Sequence, residues 1–283
     1  MAAEAREVGF TSRTIRGATI PSPGFGTWQL QGRLCRTMVE KALKLGYRHL
    51  DTAQAYGNEE EIGDALMASS LKRWDVFLAS KVSPRNYGEE SFRKSVEGSV
   101  RRLKTDQLDL LLLHWPAFRD ATLPAAIEQL NAVHSEGLAK HIGVSNFPSD
   151  LLEEAWRHTS APLVVNQVEY HPFLNQDGLL TAMDEKDMLL VAYCPVAQGR
   201  AASNPVLQEI GKAHGKTGAQ VALRWLIQRG TVPLPRTSDP HHAAENLNLF
   251  DFQLTPGEME RISRLHEPDG RIIDPPGESP EWD

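Results

Sequence analysis

The stretch Leu108-Asp109-Leu110-Leu111-Leu112-Leu113-His114-Trp115-Pro116 decides the fold. Four consecutive leucines leave no polar face. That is the pattern of a strand covered on both sides, as in a parallel sheet flanked by helices. The run then stops at an imidazole, an indole and a proline. Working outward, the same rhythm repeats in both directions. Strand-like segments lie at 24–28, 49–53, 76–82, 108–115, 139–145, 163–169, 189–193 and 232–235. Helical patterns lie between them, at 33–45, 59–68, 91–103, 123–135, 149–157, 176–185 and 217–229. Ser149 and Asp150 stand where a helix cap is expected, and Thr255-Pro256 with Glu258 opens a late helix. Before the first strand, Thr14-Ile15 and Thr19-Ile20 flank Arg16-Gly17, which reads as a hairpin.

Strands alternating with helices imply an α/β protein with a parallel sheet, either closed or open. An open nucleotide-binding sheet should carry G-x-G-x-x-G after its first strand. Gly24-Phe25-Gly26 begins that pattern, but position 29 is Gln. A phosphate loop ending in Gly215-Lys216-Thr217 would need glycine at 210, where Ile stands. The expectation is therefore a closed (β/α)8 TIM barrel, its bottom closed by the N-terminal β-hairpin. One domain is expected over residues 1–283, with the Pro- and Gly-rich tail 267–283 wrapping the body.

Composition narrows the function classes. A net charge of −7 gives no basic surface for nucleic acid or an anionic membrane. No apolar run suits a signal peptide or a membrane span. Two cysteines, Cys35 and Cys194, are too few for a disulfide framework and read as reduced thiols in the cytoplasm.

Four residues lie at or just past the C-terminal ends of predicted strands: Asp51, Tyr56, Lys81 and His114. In a parallel barrel such positions converge on one mouth. Together they can protonate a carbonyl oxygen while a hydride arrives at carbon. A free phenol, with pKa near 10, is a reluctant donor. A lysine ammonium beside Tyr56 favours the phenolate, and Asp51 keeps Lys81 charged in a partly dry pocket. His114 can hydrogen-bond the carbonyl oxygen and set its direction. Each has a plainer reading alone: a turn cap, a loop tyrosine, a solvated lysine, a structural histidine. Their shared placement outweighs those readings. A metal reading of His241-His242 fails for want of partner ligands, and no metal is expected.

The stretch Tyr47-Arg48-His49-Leu50-Asp51-Thr52-Ala53 through Tyr56-Gly57-Asn58-Glu59 resembles a signature of the aldo-keto reductase superfamily. So do Leu113-His114-Trp115-Pro116, Ile142-Gly143-Val144-Ser145-Asn146-Phe147 and Asn166-Gln167-Val168-Glu169-Tyr170-His171-Pro172. The matches run in order from about Gly24 to about Leu265. The resemblance implies a (β/α)8 barrel that reduces small aldehydes, dicarbonyls and ketones with NADPH, or NADH, on a catalytic tetrad of Asp51, Tyr56, Lys81 and His114. It implies Ser145, Asn146 and Gln167 on the nicotinamide carboxamide and Tyr193 stacked on its ring. Cys194 and Val196 would lie along the cofactor, and Trp28, Trp115 and Phe147 would line the substrate pocket. Glu245 and Asn246 would meet the adenine.

The phosphate region departs from the family pattern, which usually reads Pro-Lys-Ser, then an arginine. Here it reads Pro235-Arg236-Thr237-Ser238, with His242 in the arginine's place. Arg236, Thr237 and Ser238 are expected to hold the 2′-phosphate. His242 lacks an arginine's fork, so the preference for NADPH over NADH should weaken. Loops after strands four and seven are short and the tail is brief, which suggests an open mouth. This looks like the prokaryotic branch of 2,5-diketogluconate and methylglyoxal reductases. The expected partner is a small carbonyl compound, and a monomer is expected. Two other readings stay open: a regulatory or binding protein on the same barrel, and a hydrolase or lyase using Asp51, Glu169 and His114.

Overall fold

The computed structural model describes residues 11–119 and 121–283. The expectation that residues 1–10 hold no signal peptide falls outside the described residues. The hairpin pairs β1 (Thr11–Ile15) with β2 (Ala18–Ser22). Its turn residues Arg16 and Gly17 have φ of 44° and 83°. Two left-handed residues in succession match the twist of a two-residue hairpin.

Eight parallel strands follow: β3 (Phe25–Gly26), β4 (His49–Asp51), β5 (Phe77–Val82), β6 (Leu108–Leu113), β7 (Ala139–Ser145), β8 (Leu163–Glu169), β9 (Leu189–Tyr193) and β10 (Val232–Pro233). Each pairs with its neighbours in chain order. Backbone bonds Gly24 N→Pro233 O (3.0 Å) and Gly26 N→Pro235 O (3.1 Å) join the last strand to the first. The sheet thus closes on itself, as expected from the sequence. Strands β3 and β10 are shorter than expected.

The helices are α1 (Gly32–Leu45), α2 (Glu59–Ala68), α3 (Glu89–Arg102), α4 (Leu123–Ser135), α5 (Ser149–His158), α6 (Asp177–Glu185), α7 (Arg200–Ser203), α8 (Pro205–His214), α9 (Gly218–Gln228), α10 (Pro240–Glu245) and α11 (Pro256–Ser263). In α1 the buried residues Cys35, Met38, Val39, Ala42 and Leu43 form one face at helical spacing. Helices α7 and α8 were not anticipated, whereas the helix start expected at His241-His242 is present as α10. Both α8 and α10 open on a start signal, Asn204-Pro205 and Asp239-Pro240, in which the first residue caps and proline takes the first helical position. No helix among the described residues is long and apolar enough to cross a membrane.

Alternation along each strand builds two apolar layers. Leu111 and Leu113 of β6 face outward, into the layer between sheet and helices. Leu110 and Leu112 face the barrel axis, with Phe77, Ala79, Val165, Leu189, Val191, Val232 and Leu234. Ala18 and Ile20 of the hairpin join this inner layer, which places the hairpin under the barrel floor.

The Thr255 cap is present: Thr255 N donates to Glu258 Oε2 at 2.8 Å, and Glu258 N donates back to Thr255 Oγ1. Ser149 and Asp150 do not cap α5, contrary to expectation. Pro148 is the cap residue, and Asp283 from the tail accepts from Ser149 N (3.0 Å) and Ser149 Oγ (2.9 Å). A carboxylate distant in sequence therefore takes the place of a local cap.

Candidate active site

The inward series continues past the apolar layer and changes character. Beyond Phe77 and Ala79 the next inward position on β5 is Lys81. Beyond Leu110 and Leu112 it is His114, and beyond Leu189 and Val191 it is Tyr193. Asp51 ends β4, Ser145 ends β7, and Gln167 follows Val165 on β8. One alternation rule thus fills the floor with hydrocarbon and the mouth with polar groups. Tyr56 comes from the short turn Gln54–Tyr56 above β4. Gly57, at φ 66°, reverses the chain there. Asn58 pins the turn, donating from Nδ2 to Thr27 O and Leu30 O at 2.9 Å and accepting from Thr52 Oγ1 at 2.7 Å. Glu59 is buried and accepts from Ser80 Oγ (2.7 Å) and from Arg102 Nε (2.9 Å). The Gly57-Asn58-Glu59 run therefore reads as the mount of Tyr56.

Lys81 Nζ donates to Asp51 Oδ1 at 2.5 Å and to Thr52 O at 2.9 Å, and lies 3.5 Å from the Tyr56 hydroxyl. Both members of this ion pair are buried. The Tyr56 and His114 rings meet edge-on at 5.6 Å. The structure thus brings all four candidate residues together. Burial opposes the Lys81 charge, but Asp51 and Tyr56 outweigh it and raise the ammonium pKa above 10.5. Burial raises the Tyr56 phenol above 10.0, and Lys81 offsets only part of that rise. The sequence had emphasised the lysine alone; desolvation of the phenol is the larger effect. Burial, reinforced by Lys81, holds His114 well below 6.5. Its Nδ1 is buried and has no partner among the described residues. A bare lone pair is cheaper to bury there than an unpaired N–H, which assigns the ring proton to Nε2.

Beside the tetrad, Ser145 Oγ donates to Gln167 O (2.7 Å), and Asn146 Nδ2 donates to His114 O (2.9 Å). Tyr193, half-buried, donates its hydroxyl to Asn146 Oδ1 at 2.8 Å. Burial and then Glu169 raise the Cys194 thiol pKa to about 12. Cys194 (φ 52°) and Val196 lead into a tight turn, where Ala197 N donates to Cys194 O. After β10, Arg236 is exposed and reaches back across the rim, Nε donating to Trp28 O at 2.9 Å. Thr237 accepts from Asp239 N at 3.0 Å; Ser238 and His242 are exposed, Glu245 is half-buried and Asn246 is buried.

Trp28 is 43% exposed at the rim. Trp115 stacks near His114, centroids 6.4 Å apart, and Tyr87 holds its backbone through a 2.8 Å bond to Trp115 O. Phe147 has no exposed surface and packs edge-on against Phe118. It supports the wall rather than lining the mouth, which corrects the sequence expectation. The tail adds residues the sequence did not single out. Trp282 meets Trp115 edge-on at 6.2 Å, and Arg271 lies over Trp282. Glu169, fully buried, anchors this tail, accepting from Ile272 N (2.8 Å), Ile273 N (2.9 Å) and His171 Nε2 (2.9 Å). The brief tail therefore still furnishes the rim.

A profile of the Aldo/keto reductase family matches residues 24–267. An aldo-keto reductase of Mycolicibacterium smegmatis is 37% identical over 249 residues, covering 88% of each chain. One of Mycobacterium avium is 38% identical over 258 residues, covering 91% of this chain and 90% of its own. A crystal structure of a candidate 2,5-diketo-D-gluconic acid reductase B superposes with a TM-score of 0.95 at 45% identity, covering 98% of both chains. The aldose reductase of Schistosoma japonicum superposes with a TM-score of 0.85 at 32% identity, covering 89% of this chain and 91% of its own.

Proposed function

The chain belongs to the aldo/keto reductase family, whose members are oxidoreductases acting on carbonyls with nicotinamide cofactors, and from that premise we propose that it reduces small aldehydes, dicarbonyls and ketones with NADPH, Tyr56 donating the proton. The observation that carries the reading is the convergence of Tyr56, Lys81, Asp51 and His114 on one buried cluster, with Lys81 Nζ 3.5 Å from the phenol oxygen.

The residues present fit a nicotinamide. The half-open ring of Tyr193 offers a flat face. Ser145, Asn146 and Gln167 supply hydroxyl and amide groups at its edge. Gln167 spends its Nε2 on Asp51, leaving Oε1 as an acceptor for a carboxamide N–H. Arg236, Thr237 and Ser238 would hold a 2′-phosphate, with His242, Glu245 and Asn246 beside the adenosine. When bound, the nicotinamide supplies hydride to the carbonyl carbon. The chain's own residues do the rest. His114 donates from Nε2 to the carbonyl oxygen and aims it. Tyr56 delivers its hydroxyl proton to that oxygen, and the Lys81 ammonium stabilises the phenolate left behind. Asp51 keeps Lys81 charged and in place.

The proposal includes a single domain acting as a cytoplasmic monomer, with the NADPH preference weakened at His242. The test is loss of reduced-cofactor absorbance on adding a simple aldehyde. Turnover supports the reading. Cofactor binding without turnover of any aldehyde or ketone would instead indicate a binding protein on the same barrel.

A further inference from the structure

A second concavity, outside the barrel mouth, gathers cations that the fold leaves unspent. It lies between α3 and the turn Pro84–Asn86 after β5, and its volume of about 430 Å³ suits a small molecule. Among the described residues its lining holds Arg85, Lys94, Arg101 and Arg102 and no carboxylate. Helical spacing brings most of them together. Lys94, Gly98, Arg101 and Arg102 stand at i, i+4, i+7 and i+8, which is one face of α3. Gly98, buried, keeps that face hollow: a Cβ there would stand 2.9 Å from Arg102 Nη1. Arg85 lines the groove from the facing turn.

The walls are held by the protein itself. Gln54 donates from Nε2 to Ser95 Oγ (3.1 Å) and Ser99 Oγ (3.2 Å), and its Oε1 accepts from Ser83 N (3.0 Å) and Asn86 Nδ2 (2.9 Å). One amide thus ties the turn of Tyr56, the Pro84–Asn86 turn and α3 together. Arg102 gives Nε and Nη2 to Glu59 Oε2, at 2.9 and 2.6 Å, and leaves Nη1 uncommitted. Arg85, Lys94 and Arg101 make no side-chain hydrogen bond or ion pair among the described residues. The carboxylates of α3 lie elsewhere: Glu97 faces Arg93 at 3.5 Å, and Glu89 and Glu90 stand in the first turn. A lone exposed cation is solvated and needs no partner. The helix dipole also favours Arg101 and Arg102 in the last turn of α3. Neither reason covers Lys94 and Arg85, and like charges around one concavity repel. This surplus stands on a chain whose net charge is −7.

We propose that this groove is a binding site for a small molecule carrying two phosphate groups. Each phosphate brings about −1.5 to −2 charges at neutral pH. Two of them balance Arg85, Lys94 and Arg101 and use the open edge of Arg102. Guanidinium forks also match phosphate oxygens in geometry. The groove's size and the acidic chain around it favour a small ligand over a nucleic acid. The site is separate from the one proposed for the cofactor's 2′-phosphate. The loop bearing Arg236 follows β10, and β3 and β4 lie between β10 and β5 around the barrel. The proposal does not depend on the reductase reading.

The test titrates inorganic pyrophosphate into the NADPH-saturated full chain at low ionic strength, followed by calorimetry. NADPH keeps the cofactor's own phosphate site filled. One site is expected, weakening as salt is added. The double change Arg85→Gln, Arg101→Gln should weaken pyrophosphate by about tenfold or more, the scale of charge-assisted hydrogen bonds. Lys94→Glu, which puts a carboxylate into the groove, should weaken it at least as much. Both variants should keep the parent's thermal midpoint and its aldehyde turnover without pyrophosphate, since these side chains have no partner to lose. Malonate, with less charge on two carboxylates, should bind about tenfold more weakly than pyrophosphate. Unchanged affinity in both variants would overturn the proposal. So would binding seen only when NADPH is absent, which would place the anion at Arg236. No binding at millimolar pyrophosphate would also overturn it, and malonate binding as tightly would overturn the phosphate class.

Discussion

Gln167 Nε2 donates to Asp51 Oδ2 at 2.7 Å, while Asp51 Oδ1 holds Lys81. The bond spans the barrel from β8 to β4. The amide proposed to grip the nicotinamide thus shares a carboxylate with the ammonium that serves the proton donor. Cofactor site and proton-transfer site are neighbours on one hydrogen-bonded chain.

Two substitutions separate the ends of that chain. Tyr56→Phe should lower kcat by roughly 10²–10⁴-fold, the range for general acid catalysis, with NADPH affinity nearly intact. Gln167→Ala should weaken NADPH by about tenfold, the scale of a hydrogen bond in a charged network, and lower kcat as well, because Asp51 loses a donor. Steady-state kinetics and tryptophan-quenching titrations distinguish them. Parental turnover by Tyr56→Phe would show that the proton comes from elsewhere.

The pH dependence follows from the two depressed or raised groups that face the substrate. Tyr56 stays a protonated phenol past pH 10.0, because its pKa is raised. His114 stays neutral below pH 6.5, because its pKa is depressed. The rate of reduction should therefore be flat in kcat/KM between those values. The same His114 shift bears on stability. Below 6.5 the unfolded chain takes up a proton that the folded site refuses, so its contribution is present above 6.5 and declines as pH falls toward the folded value. A rate limb centred on 6.5 would contradict the neutral imidazole.

Lys81 and Asp51 are both buried, so neither tolerates the loss of the other. Asp51→Asn leaves an ammonium facing the Tyr56 ring and a carboxamide, and should cost about 3–5 kcal/mol of stability. The double variant Asp51→Asn, Lys81→Met should cost less than the sum of the single changes, because no unpaired charge remains. The sign with pH is set by Lys81. Its pKa is raised above 10.5, so the pair stabilises fully below 10.5 and the benefit is lost as pH rises through the folded value. Denaturant melts of the four proteins at neutral pH read the coupling. Additive losses would mean that the two charges do not depend on each other.

The barrel and the tetrad were legible because both rest on local patterns. Apolar runs mark strands buried on two faces, and a polar residue ending such a run marks the mouth. Lys81 and His114 announce themselves in this way. The α7–α8 segment was overlooked because its cues, Asn204 and Pro205, also suit a loop. The tail was legible only as an extended segment. What Arg271, Trp282 and Asp283 touch depends on contacts with Trp115, Glu169 and Ser149, more than a hundred positions earlier in the chain, and no periodicity reports those. Phe147 was misplaced for a related reason. It follows Asn146, which reaches into the site, but the bend after β7 turns its ring into the core.

The last prediction concerns cofactor choice. His242 is exposed on α10, and Arg236 is tied by its Nε to Trp28 O and by Nη2 to Gln29 O at 3.3 Å. The cation nearest the proposed 2′-phosphate site therefore already spends part of its fork on the protein. It must share or release those bonds to hold a phosphate, which weakens the discrimination between NADPH and NADH. His242→Arg adds a second, uncommitted fork on the same rim. It should tighten NADPH by about tenfold, the scale of one charge-assisted bond, and leave NADH within about twofold, since NADH has no 2′-phosphate. Parallel fluorescence titrations of the two cofactors into wild type and variant measure the difference. A gain for NADPH alone places position 242 at the phosphate and explains a relaxed preference in the parent. Equal changes for both cofactors would show that residue 242 faces away from it, and that the discrimination rests on Arg236 with Thr237 and Ser238.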